Sequence, residues 1–345
     1  MSARTPLPHA GEDGGRPVAS GSPSDAHHPA PSGMGGGEDR QRLVAFARDS
    51  IARGSRSFAA ASRLFDRTTR ERAWLLYAWC RACDDLADGQ VMGHGMSEVA
   101  DPMARLAVIR TLTEAALRGE ATGEPAFDAF ALVAAECAIP TEFARDLVRG
   151  FALDAAGFRP RSETELIRYC YHVAGVVGCM MAVVMGIDPG DEETLDRACD
   201  LGIAFQLANI ARDLSEDDAA GRCYLPDEWL AEIDVPPGEQ LRPIYRPRLA
   251  LLGARLAQRA ARYEASARVG AARLPFRARW AVLAAAGIYG DIARAVEERG
   301  ARAWDRRIVT SGGAKVGWVA KALGQSIMGN PAAKRDGLWT RPRRA

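Results

Sequence analysis

Trp74-Leu75-Leu76-Tyr77-Ala78-Trp79-Cys80-Arg81-Ala82-Cys83-Asp84-Asp85-Leu86-Ala87-Asp88 passes from an apolar, aromatic helix pattern straight into three carboxylates. Residues four apart stack one turn above each other on a helix, so Asp84 and Asp88 share a face, with Arg81 and Tyr77 one to two turns before them. The C-terminal end of a helix carries partial negative charge, and acids placed there oppose both the dipole and one another. Such an arrangement demands a cationic partner. Asp85 points about 100° away from Asp84 on an ideal helix and ranks below it as a ligand.

A second row obeys the same spacing. Asn209, Asp213 and Asp217 follow i, i+4, i+8 with Arg212 and Glu216 beside them, after the apolar text Leu201-Gly202-Ile203-Ala204-Phe205-Gln206-Leu207-Ala208. Helical acids ordinarily form a solvated face, but these two rows are embedded in apolar helices. Oxygen donors without paired His or thiolates suit hard cations, and Mg²⁺ characteristically bridges a few carboxylates to substrate phosphates. The pattern predicts a phosphorylated ligand held between two helices above apolar walls.

The remainder of the chain supplies the frame. It has 345 residues, 48% hydrophobic and 26% charged, with 45 Lys plus Arg against 44 Asp plus Glu. That length can bury a large core, and that balance argues against a generic nucleic-acid binder. Helical periodicity with few alternating Val, Ile and Thr runs predicts an all-α body over residues 39–326, including single helices over 163–185 and 191–217. Residues 1–38, rich in Gly, Pro and Ser, read as a disordered tail, and 327–345 as a basic, frayed C-terminal tail. The apolar run Val173 to Ile187 is shorter than the roughly 18 residues a membrane span needs, so the chain reads as not transmembrane. Within that run Gly175, Gly178, Ala182 and Gly186 leave room either for a neighbouring helix or for a long ligand chain. Seven scattered cysteines suggest no disulfide framework and a reducing compartment, and a tail without an apolar signal region or an acid-poor transit pattern reads as a cytoplasmic, bacterial protein.

With these two rows, Gly54-Ser55-Arg56-Ser57-Phe58, Tyr169-Cys170-Tyr171-His172-Val173-Ala174-Gly175 and Gly221-Arg222-Cys223-Tyr224-Leu225-Pro226 complete a set of motifs in order. From Ser50 to Gly313 the chain resembles the squalene and phytoene synthase family of head-to-head prenyl transferases. The resemblance implies an all-α, isoprenoid-synthase-type helical bundle around a central apolar cavity. It implies Mg²⁺, with Mn²⁺ as the alternative, bound by Asp84, Asp88, Asn209, Asp213 and Asp217. Ser55, Ser57 and Phe58 would belong to a flap over the diphosphate, Tyr77, Arg81, Gln206 and Arg212 to the reacting end, and Tyr289 to the cavity wall. Arg81, Asp84, Asp213 and Tyr171 would be the catalytic set, with Tyr171 touching substrate as a proton relay. The other reading of Tyr171 is a core tyrosine with a satisfied hydroxyl. Squalene-forming relatives often read Cys-His-Tyr before Val-Ala-Gly, so the tyrosine here is displaced by one place.

The implied reaction joins two geranylgeranyl diphosphates, a prenyl diphosphate substrate, through prephytoene diphosphate to phytoene without NADPH. The alternative is squalene, hydroxysqualene or dehydrosqualene formation from farnesyl diphosphate, and a remote one is a non-catalytic lipid-binding or assembly protein. An insoluble forty-carbon product implies peripheral membrane contact. No nucleic-acid partner is implied, and the oligomeric state stays open.

Overall fold

The computed structural model describes residues 36–89, 101–329 and 332–343, and among these the chain is helical without a strand. Nearly all of the expected N-terminal tail lies outside the described residues. The first helices, α1 (Gly37–Gly54), α2 (Arg56–Ser62) and α3 (Arg67–Asp88), pack with α4 (Pro102–Leu117), α5 (Pro125–Cys137) and α6 (Thr141–Ala155). Next, α7 (Glu163–Cys170), a π turn (Tyr171–Gly175) and α8 (Val176–Val184) form one continuous helical rod. It is followed by α9 (Glu192–Arg212), α10 (Leu214–Ala219) and α11 (Asp227–Glu232), then by the longer α12 (Arg246–Gly270), α13 (Phe276–Arg299) and α14 (Gly312–Met328).

Local chemistry starts and stops these helices. Asp66, Asp191 and Ser311 accept the orphan amides of Thr69, Thr194 and Ala314 at 3.0, 3.0 and 3.2 Å. Pro102 and Pro125 occupy first turns, where no amide is missed. Gly89, at φ 63°, ends α3 in the left-handed conformation that costs glycine nothing.

The hub is α9, packed against α12, α13, α8 and the π turn. Its approach to the π turn and α8 depends on missing side chains. A Cβ at Gly202 would collide with the Ala174 backbone, and one at Gly178 with the Ala198 carbonyl. Gly202→Ala is therefore expected to cost about 1–3 kcal/mol, read as a fall in the midpoint of urea unfolding. Gly175 and Gly178 of the Val173–Ile187 run thus serve helix packing, although Gly178 and Ala182 also line an apolar cavity.

Two expectations change, and one holds. As expected over 163–185, Glu163–Val184 runs as one continuous rod; it has the length and composition to cross a bilayer, but 61% of its apolar window is buried in the fold, as in a core helix. The helix expected over 191–217 breaks at Asp213, which lies between α9 and α10, yet the spacing of the acidic row survives. The Asp213 amide still donates to the Asn209 carbonyl, and the Asp217 amide to the Asp213 carbonyl, each at 2.8 Å. Residues 332–343, read as part of a basic, frayed tail, instead dock on the bundle, because Arg335 and Arg341 find Asp200 and Asp196 of α9.

Candidate active site

Two cavities meet inside the bundle. The first, of about 620 Å³, is polar and takes Asp84 and Asp88 from α3, Asn209 from α9, and Asp213 and Asp217 from just beyond it. The two oxygen-bearing rows therefore face one chamber. The second, of about 440 Å³, is largely apolar, with walls that include Leu76, Met181, Leu201 and Ile288. Asp84, Gln206 and Asn209 line both, so the acidic chamber opens onto the apolar one.

Most of the expected site residues converge here. Arg81 and Arg212 line the polar chamber; Ser55, Phe58, Tyr77 and Tyr289 line the apolar one. Ser55 caps α2, its Oγ accepting the Phe58 amide at 3.2 Å. The side chain of Ser57 lies outside the described residues. Aromatic faces gather in the apolar chamber: Phe205 stacks on Tyr289 at 4.1 Å and Phe58 meets Tyr77 edge-on at 5.6 Å.

Tyr171 is a correction. It lines neither chamber, is 1% exposed, and donates its hydroxyl to Asp146. Its role as relay and substrate contact passes to no neighbour by sequence spacing alone. On the helix before the π turn, however, Tyr169 projects into the polar chamber, and its hydroxyl donates to Asp154 Oδ1 at 2.9 Å. Tyr224 donates to the same oxygen at 3.1 Å, with the two rings stacked at 4.9 Å. Sequence reasoning missed Asp154, Tyr169, Arg222 and Tyr224 as site residues. The signal for Asp154 was present, because Leu147, Phe151 and Asp154 follow i, i+4, i+7 down one face of α6 and all line the chamber.

Arginines meet part of the crowded negative charge. Arg81 pairs with Asp85 at 2.6 Å, leaving Asp84 3.8 Å away, so Asp85 holds an arginine and does not line the chamber. Arg222 reaches across from the loop after α10 to Asp88 at 2.8 Å. Asp213 is clasped by Arg212 and by Arg307, at 2.5 and 3.0 Å. Asp84 keeps 47% side-chain exposure because it faces an open chamber. The surrounding protein still displaces bulk water, and burial together with Asp88 and Asp85 pushes its carboxyl up to about 7 against the pull of Arg81. Burial and then Asp213 likewise raise Asp217 to about 7. Burial lifts Asp154 to about 6 despite the Tyr169 hydrogen bond.

These residues suit a divalent cation. The donors are hard oxygens, the buried Asn209 Oδ1 has no hydrogen-bond partner, and the charged forms of Asp84 and Asp217 are disfavoured first by burial and then by neighbouring carboxylates. Among the described residues no three acids, histidines or cysteines already form an ion-sized cage, so these side chains do not enclose an ion on their own. Carboxyls whose folded pKa lies above the unfolded value contribute stability that is full below about pH 4 and is lost as pH rises through the folded pKa. In EDTA, thermal unfolding is therefore expected at lower temperature near about pH 8 than near about pH 5.5. The Asp84→Asn, Asp217→Asn double variant should flatten that difference.

A helical bundle enclosing an acid-lined chamber above an apolar one has the isoprenoid-synthase architecture. Among solved structures, a dehydrosqualene synthase in complex with ligand superposes with a TM-score of 0.72 at 24% identity, covering 84% of this chain and 99% of that one. A squalene synthase from Alicyclobacillus acidocaldarius gives 0.67 at 24% identity, over 76% and 96% of the two chains. The squalene/phytoene synthase family model matches residues 51–314. A phytoene synthase of Pseudescherichia vulneris is 45% identical over 305 residues, 87% of this chain and 98% of the relative. A 15-cis-phytoene synthase of Pantoea ananas is 43% identical over the same shares. The chain belongs to the squalene/phytoene synthase family.

Proposed function

We propose that the protein is a prenyl transferase that condenses two geranylgeranyl diphosphates head to head, through prephytoene diphosphate, to phytoene, the first committed step of carotenoid biosynthesis. The observation that carries this reading is the continuity of the two chambers through Asp84, Gln206 and Asn209, which joins a diphosphate end to a hydrocarbon end. The names of the relatives at 43–45% identity support the choice of substrate and product.

Asp84, Asp88, Asn209, Asp213 and Asp217 would hold Mg²⁺, whose charge makes a diphosphate a good leaving group. The guanidinium forks of Arg81, Arg212 and Arg222, already held at the chamber by Asp85, Asp213 and Asp88, add planar donors for phosphate oxygens. Phe58, Tyr77, Phe205 and Tyr289 present aromatic faces to the allylic and cyclopropylcarbinyl cations that follow each loss of diphosphate. The apolar walls exclude the water that would quench either cation. Tyr169 Oη and Tyr224 Oη, both hydrogen-bonded to Asp154 at the chamber wall, would be the hydroxyls that take part in proton transfer, with Tyr169 at the shorter bond. A forty-carbon product leaves most readily into lipid, so peripheral membrane contact belongs to this reading and is checked by flotation with liposomes.

Product analysis decides the matter. Purified protein with Mg²⁺ is expected to release pyrophosphate and phytoene from geranylgeranyl diphosphate. Squalene-type products from farnesyl diphosphate alone would reassign the substrate, and no pyrophosphate from either would remove the enzymatic reading.

A further inference from the structure

α9 carries a second acidic row that the reaction leaves unused. Glu192, Asp196 and Asp200 follow i, i+4, i+8 along its first half. Nine residues separate Asp200 from Asn209, which at about 100° per residue is two full turns and a half. The front row therefore faces the chamber and the back row faces away from it. Asp196 and Asp200 retain only 7% and 0% side-chain exposure, a placement tolerated where cations meet them.

The docked C-terminal segment supplies those cations. Arg335 forks onto Asp200, Nε to Oδ2 at 2.7 Å and Nη2 to Oδ1 at 2.8 Å, while Ser266 Oγ donates to Oδ2 at 2.6 Å. One turn back, Arg343 forks onto Asp196 at 2.9 and 2.8 Å. Arg341, 1% exposed, reaches Glu192 and lies 3.1 Å from Asp196. Between the clamps the Trp339 ring stands 5.3 Å from that of Tyr171 in the π turn, and its amide donates to Tyr263 Oη at 3.2 Å.

A planar guanidinium fork restrains orientation, which a point charge does not. Two such forks one turn apart on one helix face resist rotation of α9 about its own axis. Rotation of α9 would swing Asn209 sideways in the chamber and carry Asp213, at its end, with it.

We infer that residues 335–343 act as a strap that sets the rotation of α9 and thereby aims Asn209 and Asp213 at the diphosphate and its cation. Arg335 is a positioning residue, since it lines neither chamber. The inference rests on the metal-holding role proposed above for the front row.

Thermal unfolding with and without Mg²⁺ plus inorganic pyrophosphate reads the grip of the front row without turnover. Arg335→Lys keeps the charge and loses the fork. Asp200→Asn combined with Arg335→Gln removes both charges and leaves neither buried alone, so folding is expected to survive. In both variants the Mg²⁺ concentration giving half of the thermal upshift is expected to rise roughly tenfold, with the Mg²⁺ activation constant for turnover moving in parallel. Arg335→Lys should lose less than Arg335→Ala. If the variants unfold at lower temperature yet respond to Mg²⁺ and pyrophosphate at parental concentrations, the strap is a stabilising clamp alone and the inference is overturned. A parental protein with no upshift at all would instead remove the metal reading beneath it.

Discussion

Asp84→Asn and Asp213→Asn are each expected to lower turnover by roughly 10²- to 10⁴-fold at saturating Mg²⁺, equivalent to several kcal/mol of transition-state stabilisation. The amide keeps the volume of the carboxylate and gives up the charge that holds a cation against departing diphosphate. Folding should be spared for a different reason at each site. At Asp84 the substitution removes a charge that burial, and then Asp88 and Asp85, already disfavour. At Asp213 it loosens Arg212 and Arg307, both of which face the open chamber and can be solvated there. Steady-state rates beside a helical circular dichroism spectrum check this. Parental turnover from either folded variant would remove that residue from the metal-holding set.

The two tyrosines of the Tyr169-Cys170-Tyr171 triplet are expected to part company. Tyr169→Phe should lower kcat by roughly 10- to 10²-fold, within the range of one positioned acid–base group. It removes a hydroxyl from the polar chamber and leaves Asp154 with Tyr224 as its remaining phenolic donor. Tyr171→Phe should keep kcat and lower stability by about 1–2 kcal/mol, since Asp146 loses one hydrogen bond in the core but retains Arg149. The phenyl ring would still meet Trp339, so the π turn stays braced. Measuring kcat and the urea midpoint for both variants separates the roles; a collapse of kcat in Tyr171→Phe would restore the relay to that residue.

Why one tyrosine was misplaced while the acids were not follows from how far each inference had to reach. Asp84 and Asp88 share a face because helix geometry repeats every turn, and Asn209, Asp213 and Asp217 keep that spacing through two local backbone hydrogen bonds across the break at Asp213; neither relation needs knowledge of distant neighbours. Tyr169 and Tyr171 lie about 200° apart on the same helix, so only the packing partner decides which enters the chamber. That partner is α6, whose Asp154 and Asp146 take one hydroxyl each. Arg222 and Tyr224 were visible as part of a motif, yet nothing in their spacing placed them beside Asp88 and Asp154, more than sixty residues away. The C-terminal arginines were equally visible and equally mute, because a basic run looks solvated until its buried acids are located.

Sequence periodicity alone determined that the body of the chain is helical, that one helix runs over about 163–185, and that two oxygen rows follow apolar helical text, because these relations act within a few turns and depend on spacing. Only tertiary packing decided that α3 and the end of α9 face the same chamber, that Tyr169 and not Tyr171 lines it, and that residues 332–343 lie clamped against the back of α9. Those outcomes depend on charges and rings brought together from distant parts of the chain, where burial makes an unpaired carboxylate costly enough to select its partner.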